Sequence, residues 1–317
     1  MKILMFGRGV IAVLYGWALE KAGHSVEFYV RPGRAATYGP AVPLKLLDAR
    51  AQIQGVPVET QWTTRLREDL PADHDYDLLI VSVQHYRFAE VAAFLGSRVG
   101  NATVLVFNNL WTDPQAAAAP LPAGQVAWGF PQAGGFAAGG GITGALFGKV
   151  LFGTFGTDPT AREVAVRDLF RQSGFNVEEH RDWRGWLWTH FAVNAGLHAQ
   201  GFVDHSPARV IQSVARLRQA ILQVRELLPV LQARGVDLKA HAADFAIYRL
   251  PPWLGSRAFR LLFQLMRPLR VMVDSYANNE EAARCCADVL AEARRLGVPV
   301  PRLAAAEPLF APLLAPG

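Results

Sequence analysis

The sequence predicts an α/β protein in which an N-terminal, Rossmann-type doubly wound sheet precedes an all-helical C-terminal domain. Three observations carry this reading. A glycine fingerprint, Gly7-Arg8-Gly9-Val10-Ile11-Ala12, follows a short apolar run. Continuous Val, Leu and Ile runs recur through the first half, as parallel strands buried on both faces require. After Pro159 the apolar residues fall at helical spacing, with no convincing strand.

In chain order, residues 2–6 (KILMF) form the first strand, and a helix covers residues 10–22 until Gly23-His24 closes it. Residues 25–30 (SVEFYV), 77–83 (DLLIVSV) and 102–107 (ATVLVF) are further strands. The Gly/Ala-rich stretch 133–148 lies between two strand-like runs, 126–130 and 149–155. It fits either a flexible linker or a pair of glycine-rich edge strands over the cofactor site. The boundary falls near residues 174–184, giving a cofactor domain of residues 1–178 and a helical substrate and dimerisation domain of residues 179–317. No repeat of fixed period is visible.

Composition narrows the function classes. Of 317 residues, 51% are hydrophobic and 19% charged, against about 25% charged in ordinary globular domains. A largely disordered chain is excluded. The formal charge of +5 comes with no Lys/Arg block of the kind found in nucleic-acid tails, so no nucleic-acid partner is expected. No run reaches the ~18 apolar residues of a membrane span. Residues 253–273 (WLGSRAFRLLFQLMRPLRVMV) resemble a basic amphipathic helix that could lie on a membrane. A core or dimer helix with snorkelling arginines is the preferred reading, and no membrane is expected. The adjacent Cys285 and Cys286 form neither a disulfide framework nor a metal site. Together these point to the cytoplasm.

The glycine fingerprint sits between a strand and a helix, the context a dinucleotide requires. Gly7 allows the tight turn, Gly9 lets the backbone approach a pyrophosphate, and small Ala12 permits close helix–strand packing. Arg8, Val10 and Ile11 complete the loop, and the helix N-terminus favours phosphate. An acidic residue at the end of the second strand would hold the ribose hydroxyls of NAD. This chain has Arg31 and Arg34 there, which suits the 2′-phosphate of NADP.

At this point the chain resembles the ketopantoate reductase family along nearly its whole length. AGHSVEFYVR is similar to the family's second strand, and VLVFNNLW to its strand and asparagine loop near the nicotinamide. LWTHFAVNAGLHA resembles the helix that begins the C-terminal domain, and AEARRLGVPVP the late helix and turn. The resemblance implies an NADP(H)-dependent reductase, a homodimer, with substrate held between a Rossmann domain and a helical domain. It implies that Asn109 lies near the nicotinamide and that Asn194 binds substrate. It also implies that Glu281 (or its neighbour Glu280) stands near the substrate hydroxyl.

The departures from that family pattern bear on chemistry. The family's catalytic lysine is His190 here, a second lysine is Gln84, a later asparagine is His198, and no serine matches near Leu269. Two cations that would hold a keto acid's carboxylate are therefore replaced. His190, with an ordinary pKa of about 6.5, is the candidate proton donor or oxyanion stabiliser. His190 and Asn194 share a helix face, with His198 at its side. Gln84 follows a parallel strand at the edge where α/β sheets bind ligands. Trp111 after Asn109, with Trp183, Trp186, Trp188 and Phe191, makes the region aromatic. The expected substrate is a carbonyl compound larger and more apolar than ketopantoate. Two alternatives stay open: an imine reductase on the same fold, and an NADP(H)-binding protein without turnover. His190 and the tryptophans also fit plain core packing, and Asn109 fits turn capping.

Overall fold

The computed structural model describes residues 1–274 and 279–314. The chain divides into two compact units, Met1–Asn108 with Thr112–Trp183, and Asn109–Trp111 with Arg184–Gly317.

The strands of the first unit are, in order, Lys2–Phe6 (β1), Ser25–Tyr29 (β2), Ala41–Ala49 (β3), Val56–Thr63 (β4), Leu66–Arg67 (β5) and Leu78–Val81 (β6). Thr103–Val106 (β7), Val126–Phe130 (β8), Ala133–Ala138 (β9), Gly141–Phe147 (β10), Lys149–Gly153 (β11) and Asn176–His180 (β12) follow. Its helices are Val10–Lys21 (α1), Arg34–Tyr38 (α2), Phe88–Leu95 (α3), Pro114–Ala117 (α4) and Ala161–Gln172 (α5).

The main sheet has the order β12-β11-β8-β7-β6-β1-β2-β5. From β5 to β8 every pairing is parallel, and the order reverses beside β1, as in a dinucleotide-binding sheet. Strands β6 (LLIV) and β7 (TVLV) are buried at every position, which explains their unbroken apolar runs. Beyond β8 the sheet continues through antiparallel β11 and then β12. No strand is expected after Pro159, so β12 is a correction: its polar sequence, NVEEH, pairs at a sheet edge with little apolar signal.

A second sheet, β4-β3-β10-β9, packs on α1. It resolves the Gly/Ala-rich stretch, which forms the β9–β10 hairpin rather than a linker. Gly144 lies so near Leu14 of α1 that an added Cβ would stand 3.1 Å from its Cδ1 and 2.6 Å from the Gly134 carbonyl. Small residues are therefore required for the backbone to lie against the helix. Behind the main sheet, Tyr15 stacks on Phe175 at 5.2 Å, and its hydroxyl accepts the Gln132 N–H at 2.9 Å. Gly153 makes room for buried Trp183, whose ring atoms would come within 2.2 Å of an added Cβ.

The second unit is built on helix Trp183–Val203 (α6), whose first residue belongs to the first unit. It continues with Pro207–Ile211 (α7), Val214–Ala233 (α8), Ala246–Arg249 (α9), Pro252–Leu265 (α10), Arg267–Asp274 (α11), Asn279–Arg295 (α12) and Pro301–Phe310 (α13). Gly196 brings α6 against α8, since an added Cβ would meet Val224 at 2.8 Å. Helix α12 packs on α6 through its two free cysteines. Cys285 donates to the Phe191 carbonyl and Cys286 to that of Ala195, and burial pushes both thiols up, away from reactive thiolate. Among the described residues no helix is long and apolar enough to cross a membrane, and no group of His, Cys, Asp and Glu is placed to hold a metal ion.

Candidate functional site

The first unit supplies a dinucleotide cradle. Gly7 has φ +94°, a left-handed conformation that side chains disfavour, and its N–H bonds the Tyr29 carbonyl at 2.9 Å. Gly9 caps α1 with extended backbone. A Cβ added at Gly7 or Gly9 would meet no atom within 4 Å, so the backbone is open to a ligand at the start of a twelve-residue helix. Val10 and Ile11 are half-buried and Ala12 is buried beneath the turn.

Three arginines surround this turn. Arg31 and Arg34 follow β2 and are exposed. Arg34 lies 5.3 Å and Arg8 4.9 Å from the centroid of the same Tyr38 ring. Arg8 also donates to the Ala41 carbonyl at 2.9 Å, and burial lowers its pKa. Glu68 accepts the Ala35 N–H at 2.6 Å. The amides of residues 33–35 hold its carboxyl below the usual range, so it pins the turn that carries Arg34. Sequence reasoning missed Glu68, because it reaches the turn from far along the chain.

At the C-terminal ends of β6 and β7, the Asn108 amide donates to the Val83 carbonyl. The Asn108 Oδ1 and Ser82 Oγ are buried with no hydrogen-bond partner among the described residues. Such orphaned atoms are rare in folded proteins, and these two stand on the edge where α/β sheets bind ligands. Gln84 follows, exposed. The open glycine turn and the two orphaned atoms fit a dinucleotide.

The second unit supplies a different set of groups. Asn109–Trp111 leaves the first unit and packs with the helices. Trp111 stacks on Phe191 of α6, with centroids 5.2 Å apart. The Arg234 guanidinium lies 4.0 Å from the Trp111 ring and 3.7 Å from that of Trp188. It donates to the Trp111 carbonyl at 3.0 Å and pairs with Glu292 at 3.1 Å. The segment bearing Asn109 is thus held on α6, and its Oδ1 is buried with no partner among the described residues. No local sequence signal joins residues 111, 188 and 234.

On α6, residues 190, 193, 194, 197 and 198 form a half-buried stripe, while 191, 192, 195, 196 and 199 are buried. His190, Asn194 and His198 therefore share one accessible face with Val193 and Leu197. The His190 ring stacks on Trp186 at 5.1 Å and 13°. Burial, opposed in part by Asp244, lowers its pKa to about 4. Burial and the neighbouring His190 lower His198 to about 4 as well. Both imidazoles are neutral near pH 7. Glu281 lies in the first turn of α12, one turn before Cys285, and Glu280 beside it pairs with Arg284 at 3.0 Å. The tryptophans divide between roles: Trp183 and Trp186 are buried, whereas Trp188 and Trp111 clamp Arg234.

Residues 3–156 match the family model described as ketopantoate reductase PanE/ApbA. They form a ketopantoate reductase family domain. Among solved structures, a PanE/ApbA family ketopantoate reductase from Ralstonia eutropha JMP134 is 20% identical with a TM-score of 0.70, covering 99% of this chain and 98% of its own. D-mandelate dehydrogenase, in a ternary structure with NADH and anilino(oxo)acetate, is 16% identical with a TM-score of 0.71, covering 99% and 98%. A dimeric ketopantoate reductase from Staphylococcus aureus is 12% identical with a TM-score of 0.64, covering 98% and 100%. No curated protein sequence matches. At these low identities the solved structures share their fold with this chain along its whole length.

Proposed function

We propose that the protein is an NADP(H)-dependent reductase of an apolar carbonyl compound that carries no carboxylate beside the reacting group. The observation that carries this reading is the neutral His190 on the accessible face of α6, where the family pattern has a lysine. After Lys149 the chain has a single lysine, Lys239, and it is exposed. The α6 stripe offers Asn194, two neutral imidazoles and the apolar Val193 and Leu197. A carboxylate buried there would meet no lysine of the helical unit, at a cost that burial makes large.

A bound nicotinamide supplies the hydride. The chain's own residues do the rest. Gly7, Gly9 and the start of α1 hold the pyrophosphate, while Arg31 and Arg34 hold a 2′-phosphate. Gln84 and Asn109 would hold the nicotinamide. A neutral imidazole N–H of His190 donates a hydrogen bond to the substrate oxygen and stabilises charge developing there, as neutral histidine does in other enzymes. Its Trp186 stack fixes the ring, and water provides the proton that neutralises the alkoxide. Asn194 and Glu281 orient the substrate, with His198 and Trp111 beside them. The D-mandelate dehydrogenase complex supports the aromatic part of this reading only, since its ligand, anilino(oxo)acetate, bears an aryl ring and also a carboxylate beside the carbonyl. Dimerisation is supported by the dimeric S. aureus relative.

The test is NADPH consumption by the purified protein across aryl and alkyl ketones, 2-keto acids and cyclic imines. Turnover of neutral aryl ketones is expected. Tight NADPH binding with no consumption across the panel would refute the reading.

A further inference from the structure

The segment 253–273 has no part in this chemistry, and its geometry is unusual for a soluble helix. Helix α10 is apolar on two opposite faces. Inward, Gly255 and Ser256 are buried, and Phe259 and Phe263 pack with Leu197, Val210, Ile211 and Leu217. Outward, at about 100° per residue, Trp253, Leu254, Arg257, Leu261, Gln264 and Leu265 share an arc of about 120°. Trp253 is 55% exposed, Leu261 53% and Leu265 57%, where a helix of this kind ordinarily carries charge.

The charge on this segment is mostly of one sign. Residues 245–274 hold Arg249, Arg257, Arg260, Arg267 and Arg270 against a single carboxylate, Asp274, at the end of α11. Arg260 turns inward and donates to the Ile211 carbonyl at 2.9 Å. The other four are exposed, with Arg257 inside the outward arc itself. The inner face of α10 packs as the core reading expects, and its outer face is uncovered in the single chain. A second copy of the chain would be a poor cover. A two-fold contact sets the same patch against itself, arginine facing arginine, with Asp274 the one carboxylate of α10 and α11.

We propose that α10 and α11 dock on an anionic lipid surface, with Trp253, Leu254, Leu261 and Leu265 entering the headgroup region and the exposed arginines meeting lipid phosphates. This is a surface attachment, distinct from a membrane span, and it stands whether or not the reductase reading holds.

The test is flotation of the full chain with phosphatidylcholine vesicles, with and without phosphatidylglycerol. Binding to the anionic vesicles at low salt is expected, and high salt should release it. Arg257→Ala with Arg270→Ala should lower the partition coefficient roughly fivefold per arginine. Leu261→Glu with Leu265→Glu should abolish binding while leaving the thermal melt unchanged, because both side chains are exposed. Failure to float with anionic vesicles at low salt would overturn the proposal, as would equal binding to neutral ones. It would also fall if light scattering showed a dimer that the Leu261→Glu, Leu265→Glu variant splits, since a second copy would then cover this face.

Discussion

The imidazole of His190 lies on the indole of Trp186, with ring centroids 5.1 Å apart and planes 13° from parallel. That packing holds the ring in a fixed orientation, and burial keeps it neutral. It gives stability a pH dependence. The folded-state pKa values of His190 and His198, about 4, lie below the ordinary value, so the unfolded chain takes up protons first as pH falls. Their contribution is complete above about pH 6.5 and is lost toward pH 4, with a slope of up to about 1.4 kcal/mol per pH unit for each histidine. Urea unfolding across that range should show the loss. A His190→Gln, His198→Gln variant should show a flatter slope, and an unchanged slope would contradict the buried neutral state.

Cofactor choice rests on the exposed pair after β2. Arg31→Ala with Arg34→Ala removes hydrogen bonds between charged groups, each worth about 1.5–3 kcal/mol. NADPH affinity should fall tenfold to several hundredfold, and NADH affinity much less, as read by titration of both cofactors. Equal losses would remove the 2′-phosphate assignment.

Arg234 joins two tryptophans and Glu292, and it is only 11% exposed in its side chain. Arg234→Met leaves the largely buried Glu292 with Arg295 alone. It should destabilise the protein by roughly 3 kcal/mol in urea unfolding. Arg234→Lys keeps the charge but not the planar stack, so it should recover part of that loss and shift the emission of Trp111 and Trp188.

Gly153→Ala would drive a Cβ into the Trp183 ring. Overpacking of this kind costs roughly 1–3 kcal/mol or more. A lowered melting temperature or insoluble expression is expected, and a native melt would show that Trp183 can move aside.

The sequence makes the doubly wound half legible because its signals are local. The glycine turn lies between a strand and a helix, and β6 and β7 are unbroken apolar runs that announce burial on both faces. The second sheet is harder to read. Strand β4, VPVETQWT, faces solvent over most of its length, and β9 carries consecutive glycines with little apolar signal. At the site, the i, i+4 spacing of His190 and Asn194 shows their shared face. Their protonation depends on tertiary burial, which no local pattern encodes. The placement of Asn108 and Asn109 is similar. Adjacent in sequence, they belong to different units, because Trp111 two residues later is drawn onto Phe191 and Arg234.

The central claim is that His190, as a neutral donor, serves an uncharged apolar carbonyl. Steady-state NADPH oxidation should be compared for an aryl ketone and for ketopantoate, with the native protein and His190→Ala. The account predicts turnover of the ketone, little or none of ketopantoate, and a loss of about 10²–10³-fold in kcat for the variant with NADPH affinity near native. Preference for ketopantoate, or a variant keeping more than about a tenth of native kcat, would contradict it.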